Sequence, residues 1–219
     1  MQELLAAGID TSSVTLDWAM AELLTNPHVL TKLQQEITKV VGQERLVTTT
    51  DLPNLPYLKA VIKETFRKHM PAPLLLPRIS TQTCKLGGYD IPQGTRVFIN
   101  AWAIANDPQT WPQPHKFMPE RFCNMNLNEG KSEYNEFHLF PFGLGRRACP
   151  GKPLAMLITE LVLSNVVHIF DWMLPQDHIF VDMSEKFGAV ASRAQHLIAI
   201  PTLRIHHSSI FDHVEVENT

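Results

Sequence analysis

Three cysteines in 219 residues, at positions 84, 123 and 149, are too few and too scattered for a disulfide framework, which points to a reducing compartment. Charge is sparse as well. Charged residues make up 19% of the chain and the net charge is −3, which excludes the basic surface of a general nucleic-acid binder. No internal repeat or low-complexity tract occurs, and an apolar share of 44% is too high for a disordered chain. MQELLAAGID carries neither a basic leader nor a cleavage pattern, so no signal peptide is expected. The best membrane-span candidate, Leu154 to Phe170, is interrupted by Glu160, Asn165 and His168. Charge is costly in hydrocarbon, so a buried helix of a soluble domain is expected there, and no membrane span.

What the chain does contain is α+β and mainly helical. Glu3 to Thr25 reads as a helix apolar on nearly all sides, a pattern that belongs inside a larger protein. AAGIDTSS interrupts it. Asn26 and Pro27 look like an N-cap and first-turn proline for a second helix, with Leu30, Leu33, Ile37 and Val41 at core spacing and Gly42 as its stop. LPNLP punctuates the chain before YLKAVIKETFRKH, a helix with Leu58, Val61, Ile62 and Thr65 on one face. Prolines 71, 73 and 77 end that helix. KLGGYDI then predicts a hairpin around Gly87 and Gly88, and TRVFIN a strand. WAIANDPQTWPQPHKFMPERF is too rich in proline for regular structure. A long apolar helix and a strand pair ending in HLIAIPTLRI complete a domain over 1–205, with 206–219 a polar, frayed tail.

PFGLGRRACPG, residues 141 to 151, carries the strongest chemical signal. A packed small hydrophobe is the plain reading of an unpaired cysteine. A phosphate loop fails on spacing, because five residues separate Gly145 from Gly151 and Pro153 stands where a hydroxyl is needed. A dinucleotide fingerprint lacks its βαβ context. Zinc lacks a second cysteine or histidine at ligand spacing. A cysteine nucleophile would need a base, and His138 and His168, the nearest in sequence, have no hydrolase context. A thiolate fits better. Cys149 lies just before the helix that Lys152 and Pro153 open, and Arg146 and Arg147 add positive charge; both features favour the anion. A metal that takes one sulfur and draws its other ligands from a cofactor is haem iron.

The same stretch resembles the haem-binding loop of the cytochrome P450 monooxygenases, Phe-x-x-Gly-x-Arg-x-Cys-x-Gly, at Phe142, Gly145, Arg147, Cys149 and Gly151. KETFR is similar to the family's Glu-x-x-Arg helix at Glu64 and Arg67. Periodicity places both away from the apolar face, where an i,i+3 surface pair contributes only about 0.2–0.5 kcal/mol. PERF resembles the segment whose arginine, here Arg121, joins them in a structural ion network. AAGIDTS resembles the oxygen-binding motif, which implies that Gly8 opens a groove, Thr11 positions dioxygen and Asp10 helps relay protons. LLLPR resembles the segment whose arginine pairs with a haem propionate, making Arg78 and Arg147 carboxylate clamps. One departure is Met70, which stands where the family usually has proline.

These motifs occur in the family's order, and the likeness runs from about residue 2 to residue 205. It implies the C-terminal portion of the cytochrome P450 fold with small β-sheets, and haem as cofactor. GYDIPQGTRVFINAWAIANDP and DWAMAELL most resemble the plant microsomal members, including flavonoid and phenylpropanoid hydroxylases. The implied activity inserts one atom of O2 into a small organic substrate, with electrons from an NADPH-cytochrome P450 reductase. The implied location is the cytosolic face of the endoplasmic reticulum membrane if a full-length form carries an anchor, and the cytosol for this chain alone. The expected chain is a fragment lacking the N-terminal half. Two alternatives stand beside this: a haem-thiolate isomerase or dehydratase, and an inactive fragment serving as a structural or interaction module.

Overall fold

The computed structural model describes residues 2–123, 137–177, 180–186, 188 and 190–205. The polar tail from residue 206 lies outside them. Four longer helices build the core: α1 (Gln2–Thr25), α2 (Pro27–Val41), α3 (Pro56–Lys68) and α5 (Lys152–Ile169). A short helix, α4 (Ala101–Ala105), and three 3-10 turns at Leu52–Asn54, Pro119–Phe122 and Gly145–Arg147 fill the connections.

The core forms where apolar faces of the four longer helices meet. Leu23 of α1, Leu33 and Ile37 of α2, Leu58, Val61 and Ile62 of α3, and Val167 of α5 are fully enclosed in one cluster. At roughly 1.5–3 kcal/mol per buried aliphatic side chain, this cluster is the main driving force for docking the helices. Glu36 of α2 adds a polar tie. Its carboxylate accepts the N–H groups of Tyr57 and Leu58 at 2.7 and 2.9 Å, satisfying free amides in the first turn of α3. Burial in that position pushes its carboxyl up, against those hydrogen bonds and the nearby Lys32.

Several expectations need correction. Asn26 does cap α2 by position, but its side chain turns back to the carbonyl of Glu22 at 2.9 Å and caps nothing. AAGIDTSS does not interrupt α1, which runs unbroken through Gly8. Residues 102–122 contain regular structure after all. Asn100 caps α4 by accepting the Ala103 N–H at 2.9 Å, and Pro119 opens a 3-10 turn, because proline suits the first position of a helical turn. Helix α5 is only partly buried: Leu163, Ser164, Val167 and His168 are enclosed, whereas Leu154, Leu157, Ile158 and Val162 are exposed. By length and composition alone it could cross a membrane, while its buried side packs against α1, α2 and α3.

Every sheet among the described residues is a two-stranded antiparallel ribbon. β1 (Arg78–Ile79) pairs with β4 (Arg96–Val97), so TRVFIN contributes two residues rather than a full strand. β2 (Cys84–Leu86) and β3 (Tyr89–Ile91) form the expected hairpin, turned by Gly87 and Gly88 at φ +57° and +87°. β5 (Phe170–Met173) pairs with β8 (Ile200–Leu203), and β6 (Glu185–Lys186) with β7 (Ser192–Arg193).

Candidate functional site: a cysteine loop and a buried ion network

The Cys149 loop leaves the core at Phe142, whose ring meets Phe66 of α3 edge-on at 5.2 Å between centroids. Gly143 and Gly145 then take φ of +70° and +73°. That conformation costs a residue with a Cβ about 1–2 kcal/mol. The bend lets the Cys149 N–H donate to the Phe142 carbonyl at 2.8 Å and the Ala148 N–H to the Gly145 carbonyl at 3.0 Å. The loop is thus closed on itself, with Cys149 held just ahead of α5. Gly151 is the N-cap of that helix. A Cβ at Gly151 would lie 3.8 Å from the Cys149 sulfur, which is ordinary contact. Gly145, Arg147, Cys149 and Gly151 are exposed and Phe142 is half-buried. Cys149 is a free thiol. Half-buried Arg78 reaches the loop from β1, donating from Nη2 to the Arg147 carbonyl at 3.3 Å.

The second group is buried. Arg67 meets Glu64 through two parallel hydrogen bonds, Nε to Oε2 at 2.8 Å and Nη2 to Oε1 at 2.9 Å. Neither side chain has any exposed surface, against the outward face their periodicity indicated. The reason is tertiary: the segment from α4 to Phe122 folds over that side of α3. It offers carbonyls from Ala105 and Pro114 to Arg67 at 3.0 and 2.8 Å. Trp111, fully buried, lies under the guanidinium at 5.6 Å. Arg121 closes the network with Nε 3.3 Å from Glu64 Oε1. Its remaining nitrogens donate to the carbonyls of Pro112 and Gln113. The Met118 N–H adds a further bond to Glu64 at 2.9 Å.

Gly8, Asp10 and Thr11 share α1. Gly8 and Asp10 are exposed and Thr11 is half-buried. The Thr11 hydroxyl donates to the Ala7 carbonyl at 2.7 Å, and Thr15 repeats the pattern on Thr11 at 2.8 Å. Such back-bonding competes with the helix's own ladder and lets it bend locally. The structure therefore joins Glu64, Arg67 and Arg121 in one network, and Arg78 with the Cys149 loop. Helix α1, which bears the third group, packs against α5, the helix that the loop opens.

The sequence model of the cytochrome P450 family matches residues 1–198. The chain belongs to that family. It is 44% identical to a flavonoid 3',5'-hydroxylase of Solanum melongena over 92% of its own length and 39% of that protein's. A flavonoid 3',5'-hydroxylase of Petunia hybrida is 46% identical over 92% of this chain and 40% of its own length. A zebra fish cytochrome P450 structure with abiraterone superposes at a TM-score of 0.84 with 35% identity, covering 94% of this chain and 46% of that one. The chain therefore spans about two fifths of the length of the curated relatives it matches.

Haem is the cofactor of cytochrome P450 proteins, and the donor set fits it. Among the described residues no group of three His, Cys, Asp or Glu side chains could hold a bare metal ion. Cys149 instead offers one soft sulfur, exposed and free, which suits an iron that takes its in-plane ligands from a porphyrin.

Sequence reasoning missed the backbone carbonyls that receive Arg67 and Arg121, and Trp111 beneath them. It also missed a polar cluster around Glu22, a buried acid at the end of α1. Lys68 and His69 reach this carboxylate at 2.7 and 2.6 Å. The available signal was an acid in the buried half of an apolar helix, facing the cationic end of another.

Proposed function

We propose that this chain is the haem-binding portion of a haem-thiolate monooxygenase, which inserts one atom of O2 into a small organic substrate. The observation that carries the reading is the free Cys149 sulfur, exposed in a closed glycine loop at the start of α5. When bound, haem supplies the iron centre at which dioxygen is reduced and activated.

The chain's own residues have distinct parts in this reading. Cys149 would hold the iron of the cofactor through its sulfur. Gly143 and Gly145 give the loop its bend. Arg78 and Arg147 bind carboxylates of the cofactor's rim, a task that suits planar guanidinium groups. The Glu64–Arg67–Arg121 network holds α3 against the segment ending at Phe122 and touches no reacting atom. The Thr11 hydroxyl, which donates to the Ala7 carbonyl, is the group this reading assigns to positioning dioxygen. Asp10, one residue before it and exposed, is assigned to the proton relay.

Relatives named flavonoid 3',5'-hydroxylases support a flavonoid as the substrate class, and an NADPH-cytochrome P450 reductase is the electron donor in this reading. A full-length form with a membrane anchor would work at the cytosolic face of the endoplasmic reticulum. The test is the absorbance of the reduced, haem-loaded protein under carbon monoxide. A long-wavelength Soret band of thiolate-ligated haem supports the reading, and the band of imidazole-ligated or unligated haem refutes it.

A further inference from the structure

The His69 cluster is not used by the reading above. The imidazole stacks on Trp18 of α1, with ring centroids 3.9 Å apart and planes 5° from parallel. Its Nε2 lies 2.6 Å from Glu22 Oε1, also on α1. Burial alone would push the Glu22 carboxyl up, but hydrogen bonds and charge from His69 and Lys68 hold it below the ordinary range. Glu22 is thus a carboxylate, so Nε2 carries the proton and donates. On the ring's other edge, Nδ1 is buried with no hydrogen-bond partner among the described residues, and Glu185 Oε1 of β6 lies 3.8 Å from it.

The same few residues tie the β6–β7 ribbon to the helices. Trp18 Nε1 donates to the Ala191 carbonyl at 3.0 Å, and the Ala191 N–H donates to Pro71, two residues after His69, at 2.9 Å. Arg193 of β7 lies 5.8 Å from the Trp18 ring and 3.4 Å from Asp17. Among the described residues, the charged groups around the imidazole are Glu22 and Asp17 on α1, Lys68 on α3, Glu185 on β6 and Arg193 on β7.

We propose that His69 is a positioning residue that bridges Glu22 and Glu185, so that protonation of its second nitrogen tightens the β6–β7 ribbon against α1. A neutral ring donating to Glu22 turns the Nδ1 lone pair toward the Glu185 carboxylate, which is repulsive. An imidazolium replaces that repulsion with attraction at the same place. Because α1 also carries Gly8, Asp10 and Thr11, the ribbon is set relative to the residues assigned above to oxygen and proton handling. That last link rests on the proposed function; the bridge itself does not.

The sign follows from the chemistry. The bridge is complete at low pH and is lost as pH rises and the imidazole gives up its second proton. The experiment is hydrogen exchange of the amides in residues 185–193 of the haem-loaded protein at pH 6 and pH 8, corrected for intrinsic exchange. Protection should fall about two- to fivefold at the higher pH, the range expected of a half-exposed ion pair. Glu185→Gln, at a side chain that is 51% exposed, leaves the fold intact and should abolish the pH dependence. His69→Gln keeps a donor for Glu22 and should give low protection at both pH values. Equal protection at pH 6 and pH 8 in the unaltered protein, or a pH dependence that survives Glu185→Gln, overturns the proposal. Neither outcome bears on Cys149, whose test is the carbon monoxide spectrum.

Discussion

The Glu64 network and the Cys149 loop both gather arginine, yet they treat polar groups in opposite ways. Around Glu64, two guanidiniums and a backbone N–H converge on one carboxylate, and backbone carbonyls take nitrogens of both arginines. At the loop, the backbone is closed by its own hydrogen bonds while the sulfur and the Arg147 side chain are exposed. Buried charge must be fully partnered by the protein because no water can do it. An exposed sulfur on a fixed loop is free to partner something else. The network is thus complete without a ligand, and the loop is finished in its backbone only. Under the proposed function, the contrast separates a bracing role from a binding role.

The sharpest way to break that contrast is at the sulfur. In a full-length form with the proposed function, Cys149→His should abolish hydroxylation and move the carbon monoxide band to the position of imidazole-ligated haem, because nitrogen donates less electron density than thiolate. Cys84→Ser and Cys123→Ser, both at exposed free thiols, should leave the band in place. If either removes it while Cys149→Ser does not, the loop is not the binding region.

The network should fail differently, through stability. Arg67→Ala leaves Glu64 and several carbonyls without a buried partner and should cost roughly 3–5 kcal/mol in urea unfolding. Arg67→Lys should rescue little, since an ammonium cannot reproduce two parallel bonds to one carboxylate. A variant that unfolds at the native midpoint but loses the thiolate band would make the network part of the binding site.

Thr11→Ala probes the group on α1. The change removes a hydroxyl that donates to the Ala7 carbonyl and, in a full-length form with the proposed function, should raise hydrogen peroxide released per NADPH several-fold at nearly unchanged stability. An unchanged ratio of product to NADPH removes Thr11 from the mechanism.

Gly8→Ala should show the smallest effect, and one of opposite sign. Gly8 lies inside a helix, and a Cβ there meets nothing within 4 Å. Alanine should therefore stabilise α1 by about 0.5–1 kcal/mol. If product formation falls while the unfolding midpoint rises, glycine is retained at this position for the groove and not for the fold.

Local spacing carries much of this protein. Leu30, Leu33, Ile37 and Val41 repeat along α2 as its buried face, and Gly87–Gly88 turn a hairpin, because period and backbone freedom are properties of a few neighbouring residues. The Phe142–Gly151 pattern was legible for the same reason: its glycines, arginines and cysteine act over ten consecutive positions. The burial of Glu64 and Arg67 was not, although the family resemblance named them as a pair. Their helical spacing points to water, and only the fold of residues 101–122 across α3 puts them in the interior. His69, Glu22 and Trp18 were hidden likewise, since 47 residues separate the imidazole from its carboxylate. The sequence by itself determined the helices, the turns and the sulfur loop, whose causes are local. Which charges are buried, and which partners neutralise them, was decided only when distant segments packed together, because desolvation depends on everything that surrounds a group in space.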